Sequence, residues 1–569
     1  TLIRGIAPVS SGAESLGGTI RVESEGSAFG FTDAFETHGD LEASFNSVNE
    51  ATSVSAGLSQ ANRQHRMHVR GSLEHGNDTE FDGGQIRPSE HERRSLALGY
   101  GFQRSGHEWS LDLRRNETDE SGTPALPMDI IFINSTLVDL DYSGRLGGTR
   151  VEAKVYVTDS GHRMDNHSLR PPRNPMMLRQ TDADSDGVGF ALSGAWTLGP
   201  GELELGLDGH LAEHDAVISA PNNPLFRVDS FNAIERDILG LYAEWTARLA
   251  PDWDLEAGAR VNRARSDAGA VFHSMAALNA NIATLQNRFN GADRERTDTN
   301  YDWVLELTHH LSEQLSLNLG AARKMRTPSY QERYLWIPLQ ATAGLADGNN
   351  HVGAIGLRPE TSHQLELGLD WRGDRGHFSP RAFYRHVDDY IQGTPSTDPV
   401  VIAISSANGD PTPLQFSNVE ARLWGLDADW SLALAERWQL DGRFSYVRGE
   451  RDDIDDDLYR IAPPNASLAL THRRARWSAT LEAVGYARQN RVSETNEETE
   501  SGGYALVNLA GEYRLGGDTR LLAGVDNLFD RFHREHLAGF NRVRNPDIPL
   551  GERLPGPGRN LYVSLSHSW

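Results

Sequence analysis

Apolar and polar residues alternate through most of this chain with a period of two, the spacing at which successive side chains of an extended strand point to opposite faces. The last nine residues show it plainly. Leu561, Val563, Leu565 and Trp569 fall on one face, and Tyr562, Ser564, Ser566 and Ser568 fall on the other. The same alternation runs through Leu203, Leu205 and Leu207, through Leu239, Leu241, Ala243 and Trp245, and through Leu365, Leu367, Leu369 and Trp371. It returns at Trp424, Leu426, Ala428, Trp430 and Leu432, and at Trp477, Ala479, Leu481 and Ala483. These runs reach about ten residues or more, whereas strands of a soluble sandwich usually have about five or six. Aromatic residues recur near their ends, as the two interfaces of a membrane require.

The connections sharpen the picture. Short ones at 146–149, 198–201, 250–252, 311–313, 435–437, 473–475 and 516–518 alternate with long polar ones. The long ones lie near 161–185, 215–236, 267–297, 326–361, 393–419, 488–503 and 530–558. Short turns on one side of a membrane and long loops on the other are the mark of an outer-membrane barrel. Counted back from the C terminus, the pattern predicts an all-β fold: a transmembrane antiparallel barrel of about 22 strands over residues 31–569. Its last strand pairs with its first, and Trp569 sits in the interfacial girdle. A lumen of that width holds a plug. The inward faces carry Asp427, Asp429, Asp441, Arg443, Glu482, Glu512 and Arg514, a mixed-charge wall suited to an occupied lumen.

Composition fits this reading. The chain has 569 residues, no cysteine, a formal charge of −25 and a mean hydropathy of −0.52. No run of about 18 apolar residues is present, so no membrane-spanning helix is expected. Overall polarity is compatible with a barrel, because only alternate residues over a short band touch lipid. The acidic balance argues against nucleic acid as a partner. No Gly-x-Ser-x-Gly, Gly-Lys-Ser/Thr or His-Glu-x-x-His motif is present, and no enzymatic role or resident cofactor is expected. The run Arg451–Asp457 reads as a solvated acidic loop, since it has no ligand register of a calcium loop. The chain opens on Thr1 inside a Gly-rich stretch and is read as a processed or incomplete N terminus.

Two groups of residues resemble a known family. Residues 1–30 contain Arg4-Gly5, Gly12, Gly17-Gly18 and Thr19-Ile20-Arg21-Val22, which is similar to the end of the plug domain of TonB-dependent receptors. Asn527-Leu-Phe-Asp530 and the terminal Pro557-Gly-Arg-Asn-Leu-Tyr-Val563 strand resemble the C-terminal signature of the same receptors. The resemblance implies an active importer in the outer membrane of a Gram-negative bacterium, surrounded by outer-membrane lipid. It also implies energising by the TonB–ExbB–ExbD complex through a TonB box upstream of this sequence. Further stretches resemble the copper-receptor branch: Pro328–Trp336, Gly344–Gly348, Val387–Gln392, His533–Arg542 and, most tellingly, His162-Arg-Met-Asp-Asn166. In that branch a His-x-Met pair on the barrel wall joins a Cys and a Met of the plug to hold the metal. The matching residues here are His162 and Met164, while this chain has no Cys to match the plug ligand.

The chemistry is consistent with that match. Thioether sulfur favours Cu(I), and imidazole suits copper in either state. Two residues apart on an extended segment, His162 and Met164 share a face. Met176 and Met177 fall in the same expected loop, in a chain with seven methionines, and His273-Ser-Met275 repeats the spacing in another loop. The expected cargo is therefore copper, captured as a bound ion at His162, Met164, Met176 and Met177. The alternative keeps the fold and takes a ferric siderophore or other metal chelate, with Tyr330, Arg333, Tyr334 and Trp336 as loop contacts. A passive channel is the third reading.

Overall fold

The strands close on themselves. In a computed structural model that describes residues 2–20, 22, 26–339 and 346–569, 22 antiparallel strands form one barrel. The expected closure is met: the last strand, Asn560–Ser568, pairs with the first, Glu36–Asn46, from Tyr562↔Asn46 to Ser568↔Asp40. Trp569 extends the seam by donating its backbone N–H to Gly39 O at 3.0 Å. Its indole lies over Gly39, where an added Cβ would fall 2.1 Å from the ring, so only glycine admits the aromatic at the closure. A closed sheet leaves no unpaired edge, which lipid could not satisfy.

Turn length alternates as the sequence pattern indicates. Two or three residues join strands on one side, as at 105–106, 199–200, 251–252, 374–375 and 517–518. The connections on the other side are longer and reach 33 residues at 327–359 and at 527–559. The strands run further toward the long-loop side than expected. Thr149–Asp165 and Gln180–Leu198 stay paired to Asp165↔Gln180, so the loop between them is 166–179 rather than 161–185. Cross-strand hydrogen bonds need no lipid, and the ladder therefore continues above the membrane until its partner turns away.

The two faces of the wall differ as period-two alternation demands. On the strand Glu360–Gly373, Leu365 and Leu367 are 61% and 51% exposed, while Gln364 beside them is buried toward the lumen. Outward Val155, Val157, Val188, Leu192, Leu205, Leu207, Leu239 and Leu241 continue a band of exposed aliphatics. A patch of that extent is a lipid-facing surface. Trp109, Trp253, Trp371, Trp438, Trp477 and Trp569 lie close to the short turns, and several stack on histidine, as Trp253 does on His309 with centroids 4.0 Å apart. This is the aromatic girdle of one interface. Leu367→Arg is expected to cost about 2–4 kcal/mol of barrel stability, the usual penalty for a cation near the bilayer midplane. Urea unfolding in lipid vesicles measures it.

The N-terminal segment lies against the inner wall. Leu2–Ile3 pairs with Thr19–Ile20 in a small two-stranded ladder. Ile6 and Val9 are buried with Tyr242, Val304 and Ala322 of the wall. Polar contacts fix the same segment: Arg4 to Asp427 and Asp429 at 2.9 and 2.7 Å, Ile6 N–H to Glu366 Oε2 at 3.1 Å, and Glu14 to Arg236 at 2.8 Å. Two of the expected inward charges, Asp427 and Asp429, thus hold the segment. Of the stretches cited for resemblance, Arg21 and Gly344-Leu345 lie outside the described residues.

Candidate functional site

The strand Thr149–Asp165 turns Val155 and Val157 to lipid, which directs Tyr156, Thr158, Ser160, His162 and Met164 to the lumen. His162 and Met164 are therefore not loop residues. They occupy the last lumen-facing positions of the wall, just below the mouth. Tyr156 Oη lies 3.1 Å from His210 Nδ1, and Ser160 Oγ lies 2.7 Å from Ser135 Oγ, so the ladder of polar pairs below is satisfied. His162 breaks that pattern. It stands opposite Ile133 on one neighbouring strand and Ala183 on the other, and among the described residues it has no hydrogen-bond partner. Its imidazole is free to ligate.

Met164 is paired with Thr181 on the next strand. The Thr181 hydroxyl donates to Met128 Sδ at 3.3 Å. A second thioether, Met128, thus stands on the same patch of wall as Met164 and His162. The sequence reading missed it, because Met128 lies 34 residues upstream and only strand pairing brings it there. Met176 and Met177 sit at the tip of loop 166–179, 79% and 50% exposed.

A buried ion pair holds this corner. Asp129 and Arg170 are 0% and 6% exposed, and Arg170 Nε donates to Asp129 Oδ2 at 2.6 Å. The remaining guanidinium donors reach Leu126 O at 2.7 Å and Thr123 O at 2.9 Å. Asp129 Oδ1 accepts from Thr123 N–H at 2.7 Å. The pair welds loop 166–179 to loop 122–128, the loop that carries Met128.

The alternative set is placed differently. Loops 268–295, 327–359 and 396–413 carry three helices: α1 (Ala280–Gly291), α2 (Tyr330–Tyr334) and α3 (Pro399–Ala407). Asn279 and Asp398 cap α1 and α3, and Ser329 with Glu332 forms a capping box on α2. Ile282, Leu285, Phe289, Tyr334, Trp336, Ile337, Val401 and Ile404 pack into a hydrophobic core above the barrel. Arg333, Tyr334 and Trp336 are nearly fully buried in this canopy. Arg333 bonds Asp298 at 2.7 Å and Ser266 at 3.0 Å, Tyr334 Oη donates to Arg294 O at 2.8 Å, and Trp336 Nε1 donates to Asp229 O at 2.9 Å. Apart from Arg333 Nε, which is buried without a partner among the described residues, their side-chain polar atoms are engaged, so these three act as packing residues of the canopy rather than as an open contact surface. Tyr330 is only partly buried and stacks on His214 with centroids 4.4 Å apart. His273 also belongs to the canopy, its Nδ1 accepting from Met275 N–H at 3.0 Å.

Loop 527–559 spans the mouth. Asn527, with φ of +48°, donates through Nδ2 to Arg531 O and accepts Arg531 N–H at 2.8 Å, which turns the chain into the loop. Further on, Arg542 N–H donates to Pro124 O, Arg542 O accepts from Arg173, Asn545 donates to Gln85 O, and Arg553 donates to Thr499 O. One connection thus fastens loops from different arcs of the rim. Beneath it His351 is almost completely buried beside Asp347, and burial pushes its pKa below the ordinary histidine value against the pull of the carboxylate. The acidic run is explained as well: Asp456 accepts from Ser493 Oγ at 2.9 Å and Glu494 N–H at 2.8 Å, joining two loops.

Known proteins resemble this arrangement. The family described as "TonB dependent receptor-like, beta-barrel" matches residues 30–528. A ferric enterobactin receptor of Pseudomonas aeruginosa is 27% identical over 366 residues, 58% of this chain and 48% of that protein. A ferrienterobactin receptor of Escherichia coli is 24% identical over 285 residues, 48% of this chain and 37% of that protein. The chain thus spans about half or less of the length of these relatives. Among solved structures, the copper transporter OprC superposes with a TM-score of 0.86 at 23% identity, covering 100% of this chain and 85% of that one. A mutant of the ferric enterobactin receptor of Pseudomonas aeruginosa, in complex with enterobactin, gives 0.72 at 18% identity over 100% of this chain and 85% of that one.

Proposed function

The chain belongs to the TonB-dependent receptors, outer-membrane β-barrels of Gram-negative bacteria, and from that premise we propose that it imports a scarce metal, copper. The observation that carries the cargo is the unpaired His162 beside Met164, with the Met128 sulfur against Thr181 on the same lumen wall. One imidazole and two thioethers are a donor set for copper, above all Cu(I). Residues 1–30 act in this reading as the end of a plug whose upstream part supplies the remaining ligands and the contact to the TonB–ExbB–ExbD complex, and residues 31–569 as the transporting barrel. Met176 and Met177, exposed at the loop tip, offer first contacts on the way in. The strapped mouth supports a small cargo, since a bare ion passes between loops that a bulky chelate must part.

Metal analysis of the purified protein equilibrated with Cu(I) tests the proposal. The unaltered chain is expected to hold one ion, and the double variant His162→Ala with Met164→Ala to hold none. A double variant that still binds copper like the parent would remove the assignment. Met128→Leu, which keeps the volume and deletes the sulfur, is expected to weaken binding by about 10-fold, within the range seen when a group supporting a metal is lost.

A second reading takes a ferric chelate, supported by relatives named for ferric enterobactin. Of its four residues, Tyr330 is the one with surface to offer. Retained chelate binding by a protein that takes up no copper would establish it.

A further inference from the structure

A second group of metal-ligating side chains stands on the outer surface of the barrel, away from the lumen. Three adjacent strands supply it: Glu360–Gly373, Gly376–Pro395 and Leu414–Ala435. Val387 and Ala421 are buried toward the lumen side, which turns His386 and Glu420 outward. Asp388, two residues beyond His386 and paired with Thr361 in unbroken register, shares that outward face, and a β-bulge follows it. The register between the second and third strands slips between Val387 and Tyr390, and Asp389 takes a left-handed φ of +58°. Such a bulge re-aims a side chain without ending the sheet. Arg358 pairs with Asp389, and Asn418 Nδ2 donates to Asp389 O at 2.8 Å, so the bulge is fixed from both sides.

The result is convergent. One ligand atom each of His386, Asp388 and Glu420 lies within 4.8 Å of the others. His386 Nε2 stands 3.2 Å from Asp388 Oδ1, and His363 Nε2 on the neighbouring strand stands 3.7 Å from Asp388 Oδ2. His363 and His386 are direct cross-strand partners. The outer nitrogen of His386 is also accounted for: Nδ1 lies 3.3 Å from Asp452 Oδ2, and Asp452 is paired with Arg422 at 3.3 Å. A carboxylate on one ring nitrogen fixes the tautomer and presents the other nitrogen, which is how metal-binding histidines are oriented. Simple charge pairing would not require that relay, nor two carboxylates set against each other.

We propose that His386, Asp388 and Glu420, with His363 as fourth ligand, bind one divalent transition-metal ion of the Zn²⁺ type at the outer rim of the barrel. Imidazole nitrogen and carboxylate oxygen in this number suit Zn²⁺, whose sites take four such ligands. The absence of sulfur separates this site from the luminal one. The ligands lie one or two outward positions beyond Tyr384 and its cross-strand partner Trp424, on the long-loop side, where water reaches them. An ion there fastens three strands to loop 452–464 through Asp452.

The proposal does not depend on the cargo of the lumen, and its test is arranged accordingly. The full chain carrying His162→Ala and Met164→Ala is purified in detergent and titrated with Zn²⁺ by calorimetry. One ion is expected to bind, and a Co²⁺-loaded sample is expected to show the visible absorption of a four-coordinate site. Adding His386→Ala, or Asp388→Asn with Glu420→Gln, is expected to abolish both signals. Asp452→Asn is expected to weaken Zn²⁺ binding by about 10–100-fold, as loss of an orienting carboxylate does. Heat-modifiable migration on gels checks that each variant is a closed barrel, and Glu420→Gln alone serves if His386→Ala is not. No Zn²⁺ bound by the first protein, or binding unchanged in the outer-rim variants, overturns the site.

Discussion

Arg170→Ala is expected to loosen the whole corner of the mouth that carries Met128 and Met164. Arg170 and Asp129 are both buried, and every guanidinium bond of Arg170 ends on loop 122–128 or on Asp129. Truncation leaves the Asp129 carboxylate buried with a single backbone N–H, from Thr123, as its strong donor. Breaking such a pair from one side costs about 3–5 kcal/mol, because a charge remains without its counter-ion. The loss falls on the two loops rather than on the barrel, whose ladders lie below. Hydrogen exchange at residues 123–129 and 166–170 should therefore accelerate by orders of magnitude while the strands stay protected. Copper affinity should fall with it, although Arg170 touches no proposed ligand. Arg170→Met, which leaves Asp129 equally unpaired, should behave like Ala. The pair Arg170→Met with Asp129→Leu should recover much of the protection, since replacing both partners removes the orphaned charge. Equal protection in the parent and in Arg170→Ala would show that the ion pair does not hold the loops.

Val9→Asp is expected to detach the N-terminal segment from the wall. Val9 is 0% exposed and seats its side chain against Gly258, where an added Cβ would lie 2.4 Å from Val9 Cγ2. A carboxylate there would be buried among Ile6, Tyr242, Val304 and Ala322, close to the Glu244 side chain that holds Ser10. Burying that carboxylate costs several kcal/mol, because the nearby guanidinium of Arg260, which donates to Val9 O at 3.4 Å, is already paired with Asp208, and the few hydrogen bonds of the segment return less. The segment should then exchange its amides freely from residue 5 to residue 16, and the conductance of the barrel in a planar bilayer should rise. Val9→Ala, which only leaves a small gap, should do neither. Unaltered exchange in Val9→Asp would mean that the bonds of Arg4, Glu14 and the backbone suffice alone.

The wall was legible because lipid and lumen impose a strict two-residue period over ten or more positions. Leu365 and Leu367, Trp424 and Leu426, and Leu561 and Val563 each fall on the lipid side as the pattern indicates. Strand number and closure followed from the alternation of turn lengths. What lies above the membrane was harder to read. Arg333, Tyr334 and Trp336 look like exposed recognition residues in a polar loop, yet α1 to α3 bury them, because three loops distant in sequence share one core. His162 and Met164 look like loop residues because the strand ends in polar residues, whereas pairing with Gln180–Leu198 carries it to Asp165. Met128 gave no signal of its own. Its position depends on Thr181 opposite Met164, a register relation that spacing along the chain cannot express. The same holds for His363, His386 and Glu420, which meet only across three strands.

Loop 527–559 has a mechanical consequence. By bonding to Gln85, Pro124, Arg173 and Thr499 it ties together loops 77–90, 122–128, 166–179 and 487–503, and none of these four can swing outward without loading that tie. Opening is then a collective event with one threshold, and a cut in this one connection should free loops on opposite sides at once.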